Sequence, residues 1–562
     1  MRKAFIIPLC ILLLLIICPA CASTDLEYTL DTKGKTIPLP GVYHPNIDLS
    51  GRGEIHKENR PRVFSSKESL ERWERDIGLQ GIFRLQYNLW EVKELIEDTE
   101  AQDQLLANYE EMIKKISDAG GIVVLNLFGM PAGLGRIRDK KSPLRHLRTF
   151  KEAIKAVIRR LSCEKKFNIW YEVWNAPDLE EFFLGRRIDY LFLYRAVAEA
   201  VRELKKEYKV YIPVGGPAVS WWFQNVDGNS ILTPGNSLVY DLMKFCNARR
   251  LPLDFISWHA YSTDPRAEEE ITRYKMTSLA LVRRWLTYFK RIKNDTPLIV
   301  GEWNYDRQVN SVPERGKDAH IASSYIPARI QGMYRAGVDR QFYYCLEDFQ
   351  NNEEGINRNV GIFYSAKALA HKGGAKSIYQ VFQMLNVLGR EMFVDQKPDD
   401  EFVGVIATKD DRRYVCMIYN YIDPEIAKNY ISRNIALMSG GERKIVLRLI
   451  KSGRFDKLLK AELQISSLRL TKRLKVMLKK ALALDQRARQ LMDSPRTLKI
   501  SLKNLNGDYL YKRYSMDSSC VKECGFSPVE EKKIQVDGLY QETISLKPYS
   551  VQMLILEEDE KD

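Results

Sequence analysis

The chain has 562 residues, of which 45% are hydrophobic and 28% charged, and a formal net charge of +14. Such a composition excludes large-scale disorder, since there is ample apolar surface for a core, and the length suggests about three to four units rather than one. The positive charge is local: Ile431 to Ile500 holds 18 Lys/Arg against 5 Asp/Glu, so the rest of the chain is nearly neutral.

Residues 1–22 read as a secretory signal. Arg2 and Lys3 open it, an apolar run follows, and Ala20-Cys21-Ala22 supplies small residues for cleavage. The apolar run is short for a membrane span, which needs about 20 residues. A lipidated Cys21, preceded by Ala20, is the rival reading. Either way the expected location is export, periplasmic or extracellular, free or tethered at the N-terminus.

From about Gly78 to Tyr379, short apolar runs alternate with amphipathic helical patterns. The strand candidates are 81–90, 121–133, 167–177, 211–218, 254–262, 297–306 and 340–349. Helical patterns such as "NYEEMIKKISDAG" and "DYLFLYRAVAEAVRELKKE" separate them. This alternation predicts a parallel sheet, and its extent suits a (β/α)8 barrel over residues 23–380 with an N-terminal extension. A doubly wound open sheet is the alternative. Polar and aromatic residues at nearly every strand's C-terminal end favour the barrel, whose sites are built there.

After Tyr379 the pattern changes to β-rich runs at 402–421, 496–517 and 542–558. These predict a C-terminal antiparallel β-sandwich formed by 381–424 and 496–562. Residues 425–495 read instead as helices inserted into that sandwich, with Leu470, Leu474, Met477, Ala481, Leu484 and Leu491 on one apolar stripe and Lys/Arg elsewhere. Such a basic segment in an exported protein points to an anionic polysaccharide, a membrane surface or an acidic protein, and away from nucleic acid. Cys520 and Cys524 are close enough for a local disulfide in an oxidising compartment. No Cys/His spacing suggests a metal site, and no cofactor is expected.

One residue carries chemistry on sight. Pro297 to Gly301 is an apolar strand that ends in Glu302, and a carboxylate closing a buried strand at a barrel mouth needs a partner or a task. The segments "YEVWNAPDL", "VGGPAVS", "DFISWHAYS" and "PLIVGEWN", in that order and spacing, resemble family 39 glycoside hydrolases, which include β-xylosidases, α-L-iduronidases and hydrolases of bacterial exopolysaccharides. The resemblance covers about residues 80–380 well, the sandwich more loosely and the basic helices not at all. It implies retaining hydrolysis, in which a carboxylate at the end of the seventh barrel strand attacks the anomeric carbon. A second, at the end of the fourth, protonates the leaving oxygen, and retention needs the two carboxyl groups about 5 Å apart.

Carried over by position, Glu302 is the nucleophile and Asn175 the contact to the sugar 2-hydroxyl. The acid/base position falls on Ala176, whose methyl group cannot donate a proton. Such catalysis is worth about 100- to 10,000-fold. Asp178, Glu180 or Glu181 could swing into the gap, and Glu172 shares strand parity with Ala176. An acidic leaving group, or the substrate's own carboxylate, would also repair it. The remaining substrate contacts implied are Trp174, His259, Tyr261, Arg84, Gln86, Trp303, Tyr344 and Trp221. Gln86 stands where the family often has histidine, and Cys345 where a tryptophan usually floors the site. The expectation is therefore an exported retaining glycoside hydrolase-like protein, acting on carbohydrate with impaired or rerouted acid catalysis. The alternative is a non-catalytic glycan-binding protein or scaffold on the same frame.

Overall fold

The computed structural model describes residues 26–50, 67–89, 99–131, 133–220, 237–267, 279–305, 320–351, 356–358, 360–365, 373–394, 398, 400–520 and 525–559. The expected signal, with Cys21, lies outside them. Two short strands come first, β1 (Leu26–Asp31) and β2 (Thr36–Pro38). A closed barrel follows, made of β3 (Ile47–Asp48), β4 (Ile82–Asn88), β5 (Ile122–Phe128), β6 (Ile169–Val173), β7 (Val214–Val219), β8 (Phe255–His259), β9 (Leu298–Trp303) and β10 (Arg340–Tyr344). Every neighbouring pair is parallel, including β10 with β3, so the sheet has no edge. The seven strand segments expected from the sequence each overlap one of β4 to β10. The eighth strand, β3, has two residues, too few to display a period.

Side-chain alternation fills the barrel. Ile82, Val124, Phe255, Ile299 and Phe342 pack together inside it as an apolar plug. A few positions further along the same strands stand Arg84, Asn126, His259 and Glu302. Successive inward residues thus change from apolar to polar towards the C-terminal ends, which places the polar layer at the mouth. Outside, some helices bury a single stripe, whereas His320–Ala336 is buried on all sides from Ile321 to Met333. In Leu147–Ile158 that stripe is Phe150, Ile154 and Ile158, four residues apart.

A small hairpin, β11 (Phe349–Asn351) with β12 (Ile356–Arg358), leaves the last barrel strand. The second sheet contains β13 (Glu391–Phe393), β14 (Val403–Lys409), β15 (Arg413–Asn420), β16 (Arg496–Met516), β17 (Glu530–Leu546) and β18 (Val551–Glu558). Its order is β1-β16-β18-β15-β14-β13-β2, with β17 also paired to β16. The N-terminal residues expected with the barrel therefore complete this sheet at both ends. They also make it mixed, because β1 runs parallel to β16.

Alternation decides which side chains serve which core. Val415, Met417, Met553 and Ile555 join the core shared with the barrel. Their neighbours Cys416, Ile418, Leu554 and Leu556 face the other way, onto Leu498, Ile500 and Tyr511 of β16. Cys520, just past β16, is disulfide-bonded, and its expected partner Cys524 lies outside the described residues.

Four helices sit between β15 and β16: Ile426–Arg433, Gly440–Lys451, Arg454–Leu459 and Lys472–Leu491. They have a core of their own, with Ile431, Val446, Leu449, Phe455, Leu458, Leu474 and Leu478 among its buried side chains. The longest helix is capped by Thr471, whose hydroxyl accepts from the Leu474 amide, and Ser439 with Glu442 forms a capping box at another.

Candidate active site

The mouth of the barrel is organised around one cation. Arg84, on β4, donates from Nε to Glu172 Oε2 (2.7 Å) and from Nη1 to Asp48 Oδ2 (2.6 Å). Nη1 also donates to Glu302 Oε1 (2.8 Å), and Nη2 donates to Asn175 Oδ1 (2.7 Å). Asn126, one strand over, donates to the same Glu172 oxygen (2.8 Å) and to the Trp174 carbonyl (2.6 Å). The guanidinium and the Asp48 and Glu172 carboxylates are essentially sealed from water. Charges so deeply buried are tolerable only because each is met by opposite charge and by directed hydrogen bonds.

Glu302 is the least enclosed of the three carboxylates, at 9% exposure. Its second oxygen, Oε2, accepts from the Tyr261 hydroxyl (3.0 Å) and faces His259 Nδ1 at 3.4 Å. Burial acts to raise the Glu302 carboxyl, but His259, Arg84 and Tyr261 outweigh it and hold it below the ordinary glutamate value. Burial pushes His259 down, against the pull of Glu302. Arg84, which does not deprotonate, is the permanent counter-charge of Glu302. Asp48 behaves in the opposite way: burial lifts it to about 6, with Arg84 opposing and Glu302 adding to the rise.

The end of the fourth barrel strand is built differently. β6 stops at Val173, and Trp174 (φ 70°) and Ala176 (φ 43°) are left-handed. Backbone of that kind is costly for residues with a Cβ and persists where the surroundings impose it. Here the Trp174 amide donates to the Leu127 carbonyl and the Ala176 amide to the Ala218 carbonyl. The turn cancels strand parity beyond Val173. Glu172 and Asn175 both reach Arg84 although three positions separate them. Strand parity therefore does not relate the direction of Ala176 to that of Glu172. Glu172 is a partner of Arg84, and its carboxylate is held at the same time by Asn126.

The other carboxyls near the gap are placed as well. Asp178 accepts from the Ser220 amide (2.8 Å) and hydroxyl (2.5 Å), while Glu180 and Glu181 are exposed. Beside them lies an open pocket of about 260 Å³, lined by Pro177, Asp178, Glu180, Arg186 and Arg187 among others.

Of the contacts anticipated from sequence, Glu302, Asn175, His259 and Tyr261 come together as one group. The Tyr344 ring meets Tyr261 edge-on at 6.5 Å. Gln86 follows Arg84 with the same parity and is half-buried towards the mouth. Three assignments change. Arg84 is a positioning residue, because all three of its guanidinium nitrogens are taken by protein groups. Trp174 is wholly buried, its Nε1 donating to the Phe182 carbonyl (3.2 Å) and its ring packed on Phe128 and Phe183. Trp303 is equally buried, bonded to Gln341 (2.6 Å) between β9 and the outer helices. Neither indole is available to a substrate. Each extends an apolar run, and apolar runs continue into the core. Trp221 lies outside the described residues.

Two members of the site were not anticipated, Asp48 and Asn126. Asp48 sits on the two-residue strand, where "NIDLS" offers only a brief apolar alternation as a signal. Asn126 is a lone polar residue in "IVVLNLF", and its place inside a buried strand was the available clue.

A closed parallel barrel with a hydrogen-bonded glutamate at the end of its seventh strand defines a class: (β/α)8 proteins with a carboxylate-based site at the C-terminal face. The family model for glycosyl hydrolases family 39 matches residues 133–450, and the chain belongs to that family. Among curated proteins it is 26% identical over 309 residues to a beta-xylosidase of Caldicellulosiruptor saccharolyticus, covering 52% of this chain and 56% of that protein. It is also 26% identical over 268 residues to a beta-xylosidase of Geobacillus stearothermophilus, covering 44% and 48%. The chain thus spans about half the length of the curated relatives it matches. Among solved structures, a glucosidase from Croceicoccus marinus superposes with TM-score 0.64 at 14% identity, over 96% of this chain and all of that one. A monomeric beta-xylosidase from Caulobacter crescentus gives 0.62 at 15%, over 95% and 100%. These structural likenesses bear on the fold.

Proposed function

We propose that this is an exported retaining glycoside hydrolase-like protein of a cell-surface or extracellular polysaccharide system, with Glu302 as nucleophile and no acid/base residue of its own at position 176. The observation that carries this reading is the anchoring of Glu302. Arg84 fixes one of its oxygens and Tyr261 the other, while the same guanidinium holds Asn175. A carboxylate kept ionised and aimed at the barrel mouth is what attack on an anomeric carbon requires. The named activity of the two curated relatives makes β-xylosides the natural first probes.

In the first step a Glu302 oxygen bonds to the anomeric carbon as the bond to the leaving oxygen breaks. With Ala176 in the acid position that oxygen departs as an anion, so leaving groups that are already acidic are favoured. In the second step water, or a nucleophile needing no deprotonation, opens the glycosyl ester and releases Glu302. The absence of a base slows water more than it slows an anionic acceptor such as azide. The basic helices add affinity for an anionic surface near the barrel.

The test is mass spectrometry after incubation with 2,4-dinitrophenyl β-xyloside and β-glucoside, with and without azide. A sugar adduct on Glu302 that azide discharges, and that is missing in Glu302→Gln, supports the reading. Alkyl glycosides should react far more slowly. The fixed positions of Asp178 and Glu172 favour one second reading, a glycan-binding protein without turnover. It predicts oligosaccharide binding with no adduct and no change in Glu302→Gln.

A further inference from the structure

The basic helices bear on a question that composition leaves open, namely which kind of anion they meet. A helix that lies on a membrane must present an apolar face to it. In this insertion the apolar faces are already used. Leu474, Met477, Leu478 and Ala481 of the longest helix share one core with Ala427 and Ile431 of Ile426–Arg433, Val446 and Leu449 of Gly440–Lys451, and Phe455 and Leu458. What faces outward is charge, and among large apolar residues of these helices only Ile450 and Val476 are exposed.

That outward charge is ordered and free. Lys444, Arg448 and Lys451 succeed one another at intervals of four and three along one helix, and Lys472, Lys475 and Lys479 at intervals of three and four along another. The intervals set charges about 4.5 to 6 Å apart along each axis, all on one side. None of the six makes an ion pair among the described residues, whereas Arg473, Arg487 and Arg489 nearby are paired to Glu442, Asp400 and Asp485. Unpaired rows of cations on a rigid support attract an extended polyanion over its length.

The module is also fastened to the site. Arg433 forms a buried ion pair with Asp264 (3.1 Å), Asn429 donates to Thr263 Oγ1 (3.1 Å), and Tyr421, at the root of the insertion, donates to the Thr263 carbonyl (2.7 Å). Thr263 and Asp264 belong to the loop that follows His259 and carries Tyr261. The insertion is thereby fastened, through Ile426–Arg433, to the loop that carries Tyr261.

We propose that the helical insertion is a recognition module for a linear acidic polysaccharide, gripped by the Lys444/Arg448/Lys451 and Lys472/Lys475/Lys479 rows and kept next to the glycosidase-type cleft. This rests on the carbohydrate reading of that cleft, since the same cations would also attract anionic lipid headgroups. Deleting the insertion would remove Arg433 from Asp264 and disturb the Tyr261 loop, so charge reversal in the full chain is the cleaner test. Binding is measured to polygalacturonate, to neutral dextran and to phosphatidylglycerol vesicles at 50 and 300 mM salt. The expected result is binding to polygalacturonate alone, weakening steeply with salt and falling about tenfold or more in either triple Glu variant of the two rows. Lys499→Glu with Lys503→Glu, exposed on the sheet, should leave it unchanged, as should all variants' thermal midpoints. Equal or better binding to the vesicles overturns the proposal, as does binding that ignores salt or the reversals. Covalent labelling of Glu302 by the small aryl glycoside does not involve the rows. Its failure would therefore count against the cleft and leave the module's result standing.

Discussion

At the end of the seventh barrel strand, three side chains converge on one carboxylate: Arg84 and Tyr261 each hold an oxygen of Glu302, and His259 lies alongside. At the end of the fourth, Trp174 and Ala176 are left-handed, Ala176 offers only a methyl group, and the carboxyls of Glu172, Asp178, Glu180 and Glu181 are either bonded elsewhere or turned to solvent. The two ends have been built to different degrees around the same pocket. A nucleophile needs a lasting electrostatic frame, because it must stay ionised while buried, and that frame is distributed over several strands. A proton donor depends mainly on one side chain, so a single residue can remove it without disturbing the fold.

On the proposed reading, the sharpest attack on this contrast is to place a proton donor at position 176. Ala176→Glu adds no new Cβ at the left-handed position, and it should raise kcat/KM for alkyl β-glycosides by roughly 100- to 10,000-fold. Dinitrophenyl glycosides should gain little in their first step. Steady-state rates on the two leaving groups check this, and equal gain or none would dissolve the difference between the strand ends. Next comes the frame itself. Arg84→Met leaves Asp48, Glu172 and Glu302 buried without their cation and should cost about 3–5 kcal/mol of stability, read from denaturant unfolding.

A smaller effect is expected at Tyr261. Tyr261→Phe removes one hydrogen bond from Glu302 Oε2, which should slow labelling about tenfold and move its acidic limb to higher pH, because that bond helps hold the carboxyl down. The smallest effect is at Asp48. Its folded value, raised to about 6, means that its contribution to stability is full below about pH 4 and is lost as pH rises through about 6. Asp48→Asn should remove that decline. Unfolding midpoints of the variant relative to the parent at pH 4.5 and pH 7 would show it, and parallel profiles would mean that Asp48 does not titrate there.

Much of this was legible in the residues. Seven apolar runs separated by helical patterns led to the barrel, and Pro297–Gly301 running into Glu302 led to the centre of the site. Two things were not legible. β3 is too short to carry a period, so nothing local marks Asp48 as part of the site. Trp174 and Trp303 looked like sugar platforms, since an aromatic at a strand end can face either the mouth or the helices, and local pattern does not say which. Strand parity could not relate Glu172 to Ala176 for a related reason, because the positive φ angles at Trp174 and Ala176 belong to residue types that rarely adopt them.

By itself, the sequence determined the alternation of elements, the concentration of positive charge in 425–495 and the methyl group at position 176, since these depend on composition and spacing along the chain. Only the tertiary structure decided that one guanidinium joins Asp48, Glu172, Asn175 and Glu302, and that the apolar stripes of the basic helices turn inward. Those outcomes depend on which distant strands and helices become neighbours. Burial and pairing of charge are properties of the packed chain, and no local segment contains them.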